Sequence, residues 1–458
     1  MDFDLAIIGA GPGGYVSAIR ASQLGIKTII FEKDKPGGVC LNIGCIPSKS
    51  LISQAEKYRN MLEFIDKGVK MDLTSFDYKK VFHESRKASE TLSNGVKYLL
   101  EKNNITYINS QAKITDKNTI KYENKSITAK NIIIATGSKP RELKGFEFDE
   151  EKILSSTGIL MQEKLPKSIL IIGSGAIGME FAYVMKSFGV DVTIAEMLDN
   201  ILPLEDEDTA KILKDAFKKD GIKILNSTIA KSYENYEDLL KVKLENIKDN
   251  SISEIKVEKI LVAVGRIPII DDLGLENTKI KIEKGFIKVN DYYQTDESNI
   301  YAIGDVVKTP QLAHVASKEG EIAVEHIKGQ KNKLNLNAIP SAVYCEPEIA
   351  SFGYTEKALK ENDKKYKKAY FPYYGAGKTV AIGKSDGIIK ILYEPQTHEI
   401  LGAHIAGYNA TEIIHEILLA KSSELLPEDI ANMIHAHPTI SEAVMESMRA
   451  VEGWAIHI

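Results

Sequence analysis

The sequence predicts an α/β fold: two Rossmann-like dinucleotide-binding domains, then a C-terminal domain of the α+β kind. Three observations predict it. A glycine-rich turn, Gly9-Ala10-Gly11-Pro12-Gly13-Gly14, stands between an apolar strand and a helix at the start of the chain. The same arrangement returns at Gly173-Ser174-Gly175-Ala176-Ile177-Gly178. Beyond Pro340 strands and helices continue with no further glycine fingerprint.

The bulk numbers leave room for this. A chain of 458 residues holds two to four domains. With 43% hydrophobic and 27% charged residues it is neither disordered nor fibrous. A formal net charge of −5 points to no nucleic acid and no anionic membrane as partner. No apolar run reaches the roughly 18 residues of a spanning helix. Three cysteines are too few for a secreted disulfide scaffold. Met1-Asp2-Phe3-Asp4 runs at once into Leu5-Ala6-Ile7-Ile8 without a basic or Arg/Ser-rich leader. The chain therefore reads as cytoplasmic, with its first strand at its first residues.

In the first fingerprint, Leu5–Ile8 reads as the strand, Tyr15–Leu24 as the helix and Lys27–Phe31 as the next strand. Gly9 allows the tight turn, Gly11 lets a pyrophosphate approach the backbone, and Gly14 lets helix and strand pack closely. The anion sits at the helix N-terminus. Glu32, eighteen positions after Gly14, accepts a ribose hydroxyl. The second copy has strand Ser168–Ile172, helix Met179–Phe188 and strand Asp191–Ala195, with Glu196 eighteen positions after Gly178. Two complete sites imply two different dinucleotides. A carboxylate at 196 accepts from a free 2′-hydroxyl and repels a 2′-phosphate, so the second site favours NAD(H).

Between and after them, Leu51–Ile65 and Tyr78–Lys102 read as helices. Ile105–Ile108, the alternating segment 113–127 and Asn131–Ala135 read as strands, the last ending in Thr136-Gly137. Lys259–Val264 and Ile300–Ile303 read as strands leading into Gly265-Arg266 and Gly304-Asp305. Ala313–Lys328 reads as a helix. In the C-terminal region, Ala342–Tyr344, Gly387–Leu392 and Leu401–Ile405 read as strands. Thr411–Lys421, Pro427–Met433 and Ser441–Arg449 read as helices. Ala376-Gly377-Lys378-Thr379 mimics a phosphate loop, but Pro372 stands where that loop needs a glycine, and the stretch reads as a plain loop.

Chemistry concentrates at Gly37–Lys49. Cys40 and Cys45 lie five positions apart. Regular helix would separate their Cα atoms by about 7–8 Å, and a disulfide needs about 4.4–6.8 Å. A bonded pair thus requires the backbone to leave the helix between them, where Gly44 stands. On spacing alone the pair is a redox loop or half of a metal site. His435-Ala436-His437-Pro438 has no third ligand at useful spacing, so no metal site is assigned. Glu442, five residues after His437, is placed to fix its tautomer and strengthen it as a base. Thiol chemistry needs such a base, because the thiolate is the nucleophile. Cys345 reads as a small buried hydrophobe without chemistry.

Together these residues resemble the pyridine nucleotide–disulfide oxidoreductase family, in the family's order and along the chain from Gly9 to Glu442. The resemblance is to the branch that oxidises dihydrolipoyl groups with NAD+. Glutathione-reductase-like members typically carry Lys where this chain has Ser48 and use NADPH. Mercuric reductases end in a cysteine pair, whereas this chain ends Trp454-Ala455-Ile456-His457-Ile458. The alternative is another NADH-dependent disulfide reductase of the same family.

The resemblance implies the following. FAD lies on Gly9, Gly11, Gly14 and Glu32, with Lys49, Ala112, Gly137, Asp305, Ala313 and His314 completing its site. NAD lies on Gly173, Gly175, Gly178, Glu196 and Gly265, with Ile229 near the adenine. Glu180 pairs with Lys49 behind the flavin. Cys40 and Cys45 form the redox disulfide, Cys45 against the flavin and Cys40 facing substrate. His437 and Glu442 act from the second subunit of a homodimer. The partners are lipoyl domains and the core of a 2-oxo-acid dehydrogenase complex or a glycine cleavage system. Residues 1–141 and 267–337 form the FAD-binding part, 142–266 the NAD-binding domain and 338–458 the dimerisation domain. Four positions depart from the family pattern: Val39 and Cys345, where many members have Thr, and Ile269-Ile270, where Asn-Thr is frequent.

Overall fold

A computed structural model describes all 458 residues. Strand β1 (Phe3–Ile8), helix α1 (Pro12–Gln23) and strand β2 (Thr28–Glu32) form the first βαβ unit. Helix α1 starts three residues before the apolar pattern does, with Pro12 in its first turn, where a missing N–H costs no hydrogen bond. Next come α2 (Gly38–Ile43), α3 (Cys45–Asp66), α4 (Tyr78–Lys102), β3 (Thr106–Asn109), β4 (Ala112–Asp116), β5 (Thr119–Tyr122) and β6 (Lys125–Ile134). Helix α3 begins six residues earlier than expected, for the same reason: Pro47 lies in its first turn.

The sheet order is β3-β2-β1-β6-β5-β4. Long β6 pairs with three strands, the third being a later one that rejoins the sheet. Its second half runs parallel to β1, and its first half pairs antiparallel with β5. The parallel strands are covered on both faces, so they read as unbroken apolar runs; Leu5, Ala6, Ile7, Ile132, Ile133 and Ile134 are all fully buried.

The chain leaves this sheet through β7 (Ser138–Pro140) and builds a second one from β8 (Ile153–Leu154), α5 (Ser156–Leu160), β9 (Ser168–Ile172), α6 (Ala176–Ser187), β10 (Asp191–Ala195), α7 (Glu207–Lys219) and β11 (Lys223–Leu225). Strands β12 (Thr228–Tyr236), β13 (Leu239–Asn246) and β14 (Ile252–Val257) form an antiparallel sheet that the sequence reading left unassigned. β15 (Lys259–Val262) then completes the parallel order β11-β10-β9-β15-β8. β16 (Arg266–Pro268) pairs with β7, so the outgoing and returning chains cross side by side. After the hairpin β17 (Ile282–Glu283) and β18 (Phe286–Ile287), β19 (Ile300–Ala302) rejoins the first sheet beside β6, and α8 (Ala313–Ile327) packs on α1.

The C-terminal region contains β20 (Ser341–Val343), β21 (Glu348–Gly353), α9 (Glu356–Glu361), β22 (Lys367–Pro372), α10 (Gly377–Ala381), β23 (Ile388–Tyr393), β24 (Ile400–Gly407), α11 (Ala410–Ser422), α12 (Pro427–Ala431) and α13 (Ser441–Val451). Its five strands form one antiparallel sheet in the order β20-β21-β24-β23-β22. The expected loop at 376–379 is a correction: β22 and a 3-10 turn lead into helix α10, which begins at Gly377. Thr379 is fully buried there, its hydroxyl turned onto the carbonyls of Tyr373 and Ala376, and is not free to face a phosphate or a metal.

Helix α3 and the two later units share a core. Leu51 and Ala55 of α3, Met179 and Phe181 of α6, and Val343, Cys345 and Ile349 of the C-terminal sheet belong to one buried cluster. A second tie is polar: the Lys390 ammonium, on a 1% exposed side chain, donates to Asp206, Asp208 and Glu356 at 2.7–2.8 Å. A lysine at that depth needs such partners. No helix is long and apolar enough to cross a membrane.

Candidate active site

The two glycine turns open on one cleft of about 1780 Å³. At Gly9 (φ +104°) a Cβ would stand 2.2 Å from the Ala135 carbonyl oxygen, and at Gly14 one would stand 1.9 Å from that of Gly9. Any side chain there would drive α1 off the sheet. Gly178 repeats the second contact, at 2.1 Å from the Gly173 carbonyl oxygen. Gly175 has open space instead, and a Cβ on Gly11 would meet only the Gly38 Cα at 4.0 Å, as a pyrophosphate approach requires.

Each fingerprint is closed by its acid. Glu32 accepts from the amides of Ala10 (2.8 Å) and Asp34 (2.9 Å). Burial pushes its carboxyl up, against those two bonds. Glu196 accepts from the Ser174 amide (2.8 Å) and hydroxyl (2.7 Å) and from the Leu198 amide (2.8 Å). Both carboxylates are thereby fixed on the cleft wall with lone pairs left for a ribose.

The remaining expected contacts distribute as follows. Lys49, Ala112, Gly137, Asp305 and Ala313 line the first half of the cleft; Gly173, Glu180, Ile229 and Gly265 line the second. Gly14, Gly178 and His314 lie behind its surface, His314 with Nε2 on the Pro340 carbonyl at 2.9 Å. Asp305 accepts from the Ser138 hydroxyl, which in turn accepts from Arg266 Nε at 2.7 Å. That chain pins the β7–β16 crossing to the cleft. Ile269 meets Gly137 and Thr136 through its backbone, at 2.9 and 2.6 Å, so its departure from the family's Asn changes no hydrogen bond there.

The cysteines sit where these walls meet. Cys40 is in α2 and Cys45 is the first residue of α3. Gly44 breaks the helix between them (φ −152°, ψ −117°), and a Cβ on it would stand 2.8 Å from the Val39 carbonyl oxygen. The backbone departure required for pairing is therefore present, as a join between two helices. Both thiols are free. Cys40 donates its hydrogen bond to Cys45, and the effects are opposite. The bond and burial raise Cys40; the same bond, helped by the Lys49 ammonium, lowers Cys45 to about 7 against the pull of burial. As pH rises through about 7, Cys45 takes the charge while Cys40 keeps its proton.

Lys49 is one turn beyond Cys45 on α3, and its Nζ donates to both oxygens of Glu180 at 2.9 Å. Burial disfavours the Lys49 charge, but Glu180 outweighs it and the ammonium is held above its ordinary value.

His437 and Glu442 form the expected pair, Nδ1 to Oε1 at 2.9 Å, with the Thr439 amide donating to the other oxygen at 2.7 Å. They do not line the cleft of their own chain, and the His437 side chain is 76% exposed. His435 differs: its side chain is 4% exposed and bonded to Glu416 at 2.8 Å, a packing histidine.

Glu319 is a site residue with little sequence signal. Glu319 of α8 is fully buried beneath the Gly304-Asp305 turn and accepts from the Gly304 amide. Its other oxygen has no partner. Burial pushes its carboxyl up to about 7. The only sequence signal is a Glu on the face of α8 that also carries Val315, Ala316, Ile322 and Ala323. Between the unfolded value near 4.5 and about 7 the folded chain holds a proton that the unfolded chain has lost. Stability therefore falls as pH rises through that window and levels off above it. Glu319→Gln keeps an acceptor for Gly304 and removes the titration. It is expected to flatten the decline, on the order of 1–3 kcal/mol, seen in denaturant unfolding between pH 4.5 and 7. An unchanged slope would assign the titration elsewhere.

Comparison with known proteins adds the following. Residues 3–320 match the family described as pyridine nucleotide-disulphide oxidoreductase, and 339–448 match that family's dimerisation domain. A dihydrolipoyl dehydrogenase of Corynebacterium glutamicum is 41% identical over 466 residues, covering 99% of each chain. One from Bacillus subtilis is 41% identical over 476 residues, covering all of this chain and 99% of its own. A mitochondrial one from Pisum sativum is 38% identical, covering 99% and 92%. Among solved structures, LpdA of Mycobacterium tuberculosis superposes with a TM-score of 0.90 at 24% identity, over 97% of this chain and 99% of that one.

Proposed function

From its membership of the pyridine nucleotide-disulphide oxidoreductase family, which the matches over nearly its whole length establish, we propose that this chain oxidises dihydrolipoyl groups to the lipoyl disulfide, with NAD+ as acceptor. It is an oxidoreductase acting on sulfur groups, and its cofactors are FAD and NAD. The observation that carries the reading is the unequal thiol pair at the junction of two dinucleotide sites.

The first half of the cleft fits FAD. Gly11 leaves room for a pyrophosphate, Glu32 and Asp305 offer acceptors for hydroxyls, and the N-terminus of α8 faces inward at Ala313. Gln311 lines the same wall with a buried amide nitrogen that has no partner. Bound there, FAD supplies the two-electron link between the dithiol and NAD+. Glu196 sets the second half for NAD(H).

The chain's own residues perform the sulfur chemistry. In the disulfide state, a substrate thiolate attacks the Cys40 sulfur and the Cys40–Cys45 bond breaks. Cys45 leaves as the thiolate, and its lower pKa makes it the better leaving group. The second substrate thiol attacks the sulfur bonded to Cys40; the lipoyl disulfide departs and Cys40 recovers a thiol. The product state has a protonated Cys40 and a charged Cys45, the state that the geometry favours. His437, held by Glu442, takes the proton of the attacking substrate thiol. It does so across the two-fold of a homodimer, since in its own chain it faces outward. Exposed Ile434 (96%) and Leu419 (66%) on the same C-terminal unit are the kind of surface a second copy covers. Residues 1–141 with 267–337 act as the FAD-binding part, 142–266 as the NAD-binding domain and 338–458 as the dimerisation domain. The lipoyl domains of a 2-oxo-acid dehydrogenase complex or a glycine cleavage system bring the substrate, in the cytoplasm.

The test is steady-state turnover. Dihydrolipoamide with NAD+ is expected to exceed dihydrolipoamide with NADP+ by at least about tenfold, the value of one hydrogen bond to a charged group. NADH-dependent reduction of glutathione disulfide should be far slower than that of lipoamide. Turnover of another disulfide in preference to lipoamide would favour the alternative, a different reductase of this family.

A further inference from the structure

The Lys49 ammonium has a third wall besides Glu180 and Cys45. The ring of Tyr344 lies 4.4 Å from Nζ, centroid to nitrogen, within cation–π range. The amide of the same residue donates to Glu180 Oε1 at 3.2 Å. One residue of the C-terminal unit thus touches both members of an ion pair whose halves come from α3 and α6.

Its placement follows from strand alternation. At the end of β20, Val343 and Cys345 turn into the shared core with Leu51, Ala55 and Met179. Tyr344, between them, must point the other way, and that way lies Lys49. Tyr344 does not line the cleft, so it touches the reacting atoms only through Lys49. Lysine is a point charge on a flexible stem. Two bonds to Glu180 fix its distance from that carboxylate but leave it free to swing about it. The ring face, 4.4 Å from the nitrogen, limits that swing.

We propose that Tyr344 is a positioning residue for the redox pair: its ring and amide hold Lys49 and Glu180 in the register that keeps the ammonium against Cys45. The assignment deepens the reading of Cys45 as the charged thiol and rests on it. Cys45 is faced by Cys40, Lys49 and Glu180, and by Arg266 from β16. Tyr344 is faced by Lys49 and Glu180, with Glu348 and Glu412 farther off. Among these groups, Lys49 is the cation that Tyr344 touches.

The test reads the Cys45 thiolate directly, without lipoamide. In a Cys40→Ser background Cys45 is the one thiol lining the cleft, Cys345 being buried. The rate of alkylation by iodoacetamide is followed against pH in three forms: the parent, Tyr344→Phe and Tyr344→Leu. Phenylalanine keeps the ring face, and its profile should match the parent. Leucine removes the face and should move the midpoint up by about 0.5–1 pH unit, a roughly three- to tenfold slower alkylation below the midpoint. Should the leucine form not fold, Tyr344→Met serves in its place. A leucine profile equal to the parent overturns the proposal, and so does a phenylalanine profile shifted as far as leucine. The long-wavelength absorbance of each dithiol-reduced form with Cys40 restored is read in parallel. Its absence from the parent would reject the flavin assignment of Cys45 and leave the alkylation result standing by itself.

Discussion

Cys45→Ser is expected to abolish dihydrolipoamide oxidation, by about 10³-fold or more, and to remove the long-wavelength absorbance of the two-electron-reduced protein. The reason lies in the asymmetry of the pair. Cys45 is brought to about 7 by the hydrogen bond from Cys40 and by the Lys49 ammonium, so near neutrality much of it is thiolate. A serine hydroxyl there stays protonated, forms no bond to Cys40 and donates no charge. The pH dependence has a definite sign. The group is lowered from its ordinary value of 9, so the absorbance of the wild-type reduced form should grow as pH rises through about 7, two units below where a free thiol would charge. Persistence of the band in the serine form would mean that Cys40 is the charged thiol.

His437→Gln should slow dihydrolipoamide oxidation by about 10²–10⁴-fold, the usual contribution of a general base. Transfer from NADH to an artificial dye should be nearly unchanged, because it bypasses the substrate thiol. The split follows from where His437 stands. It is fixed by Glu442 at 2.9 Å, it is exposed, and it is absent from the walls of the dinucleotide cleft. It can serve a thiol arriving from outside and nothing within the cleft of its own chain. Equal losses in both assays would reject it as the base and point to damage at the dimer interface.

The parts of this protein that were readable from sequence are those whose chemistry is local. A glycine that must clear a carbonyl at 2.2 Å leaves a fixed spacing, and so do the acid at a strand end, the cysteines around Gly44 and the carboxylate five residues from His437. Strands β12 and β14 are hard to read because charged, exposed residues interrupt their alternation, and strand pairing decides them rather than local pattern; β13 does alternate, with Leu240, Val242 and Leu244 buried and Lys241 and Lys243 between them, and is legible on that pattern. The early starts of α1 and α3 were hidden by prolines that read as breakers but occupy first turns. Glu319 and Tyr344 were illegible for another reason. Each matters through a contact with a residue remote in the chain, Gly304 and the Lys49–Glu180 pair, and no spacing encodes that.

The central claim, a directed relay from dithiol through Cys40 and Cys45 to NAD+, is tested most directly by spectra of the purified holoprotein without oxygen. One equivalent of dihydrolipoamide should produce the long-wavelength band. NAD+ added next should remove it and yield NADH, one per dithiol consumed. A flavin unchanged by dihydrolipoamide, or a reduced protein that gives no NADH when NAD+ is added, would contradict the account.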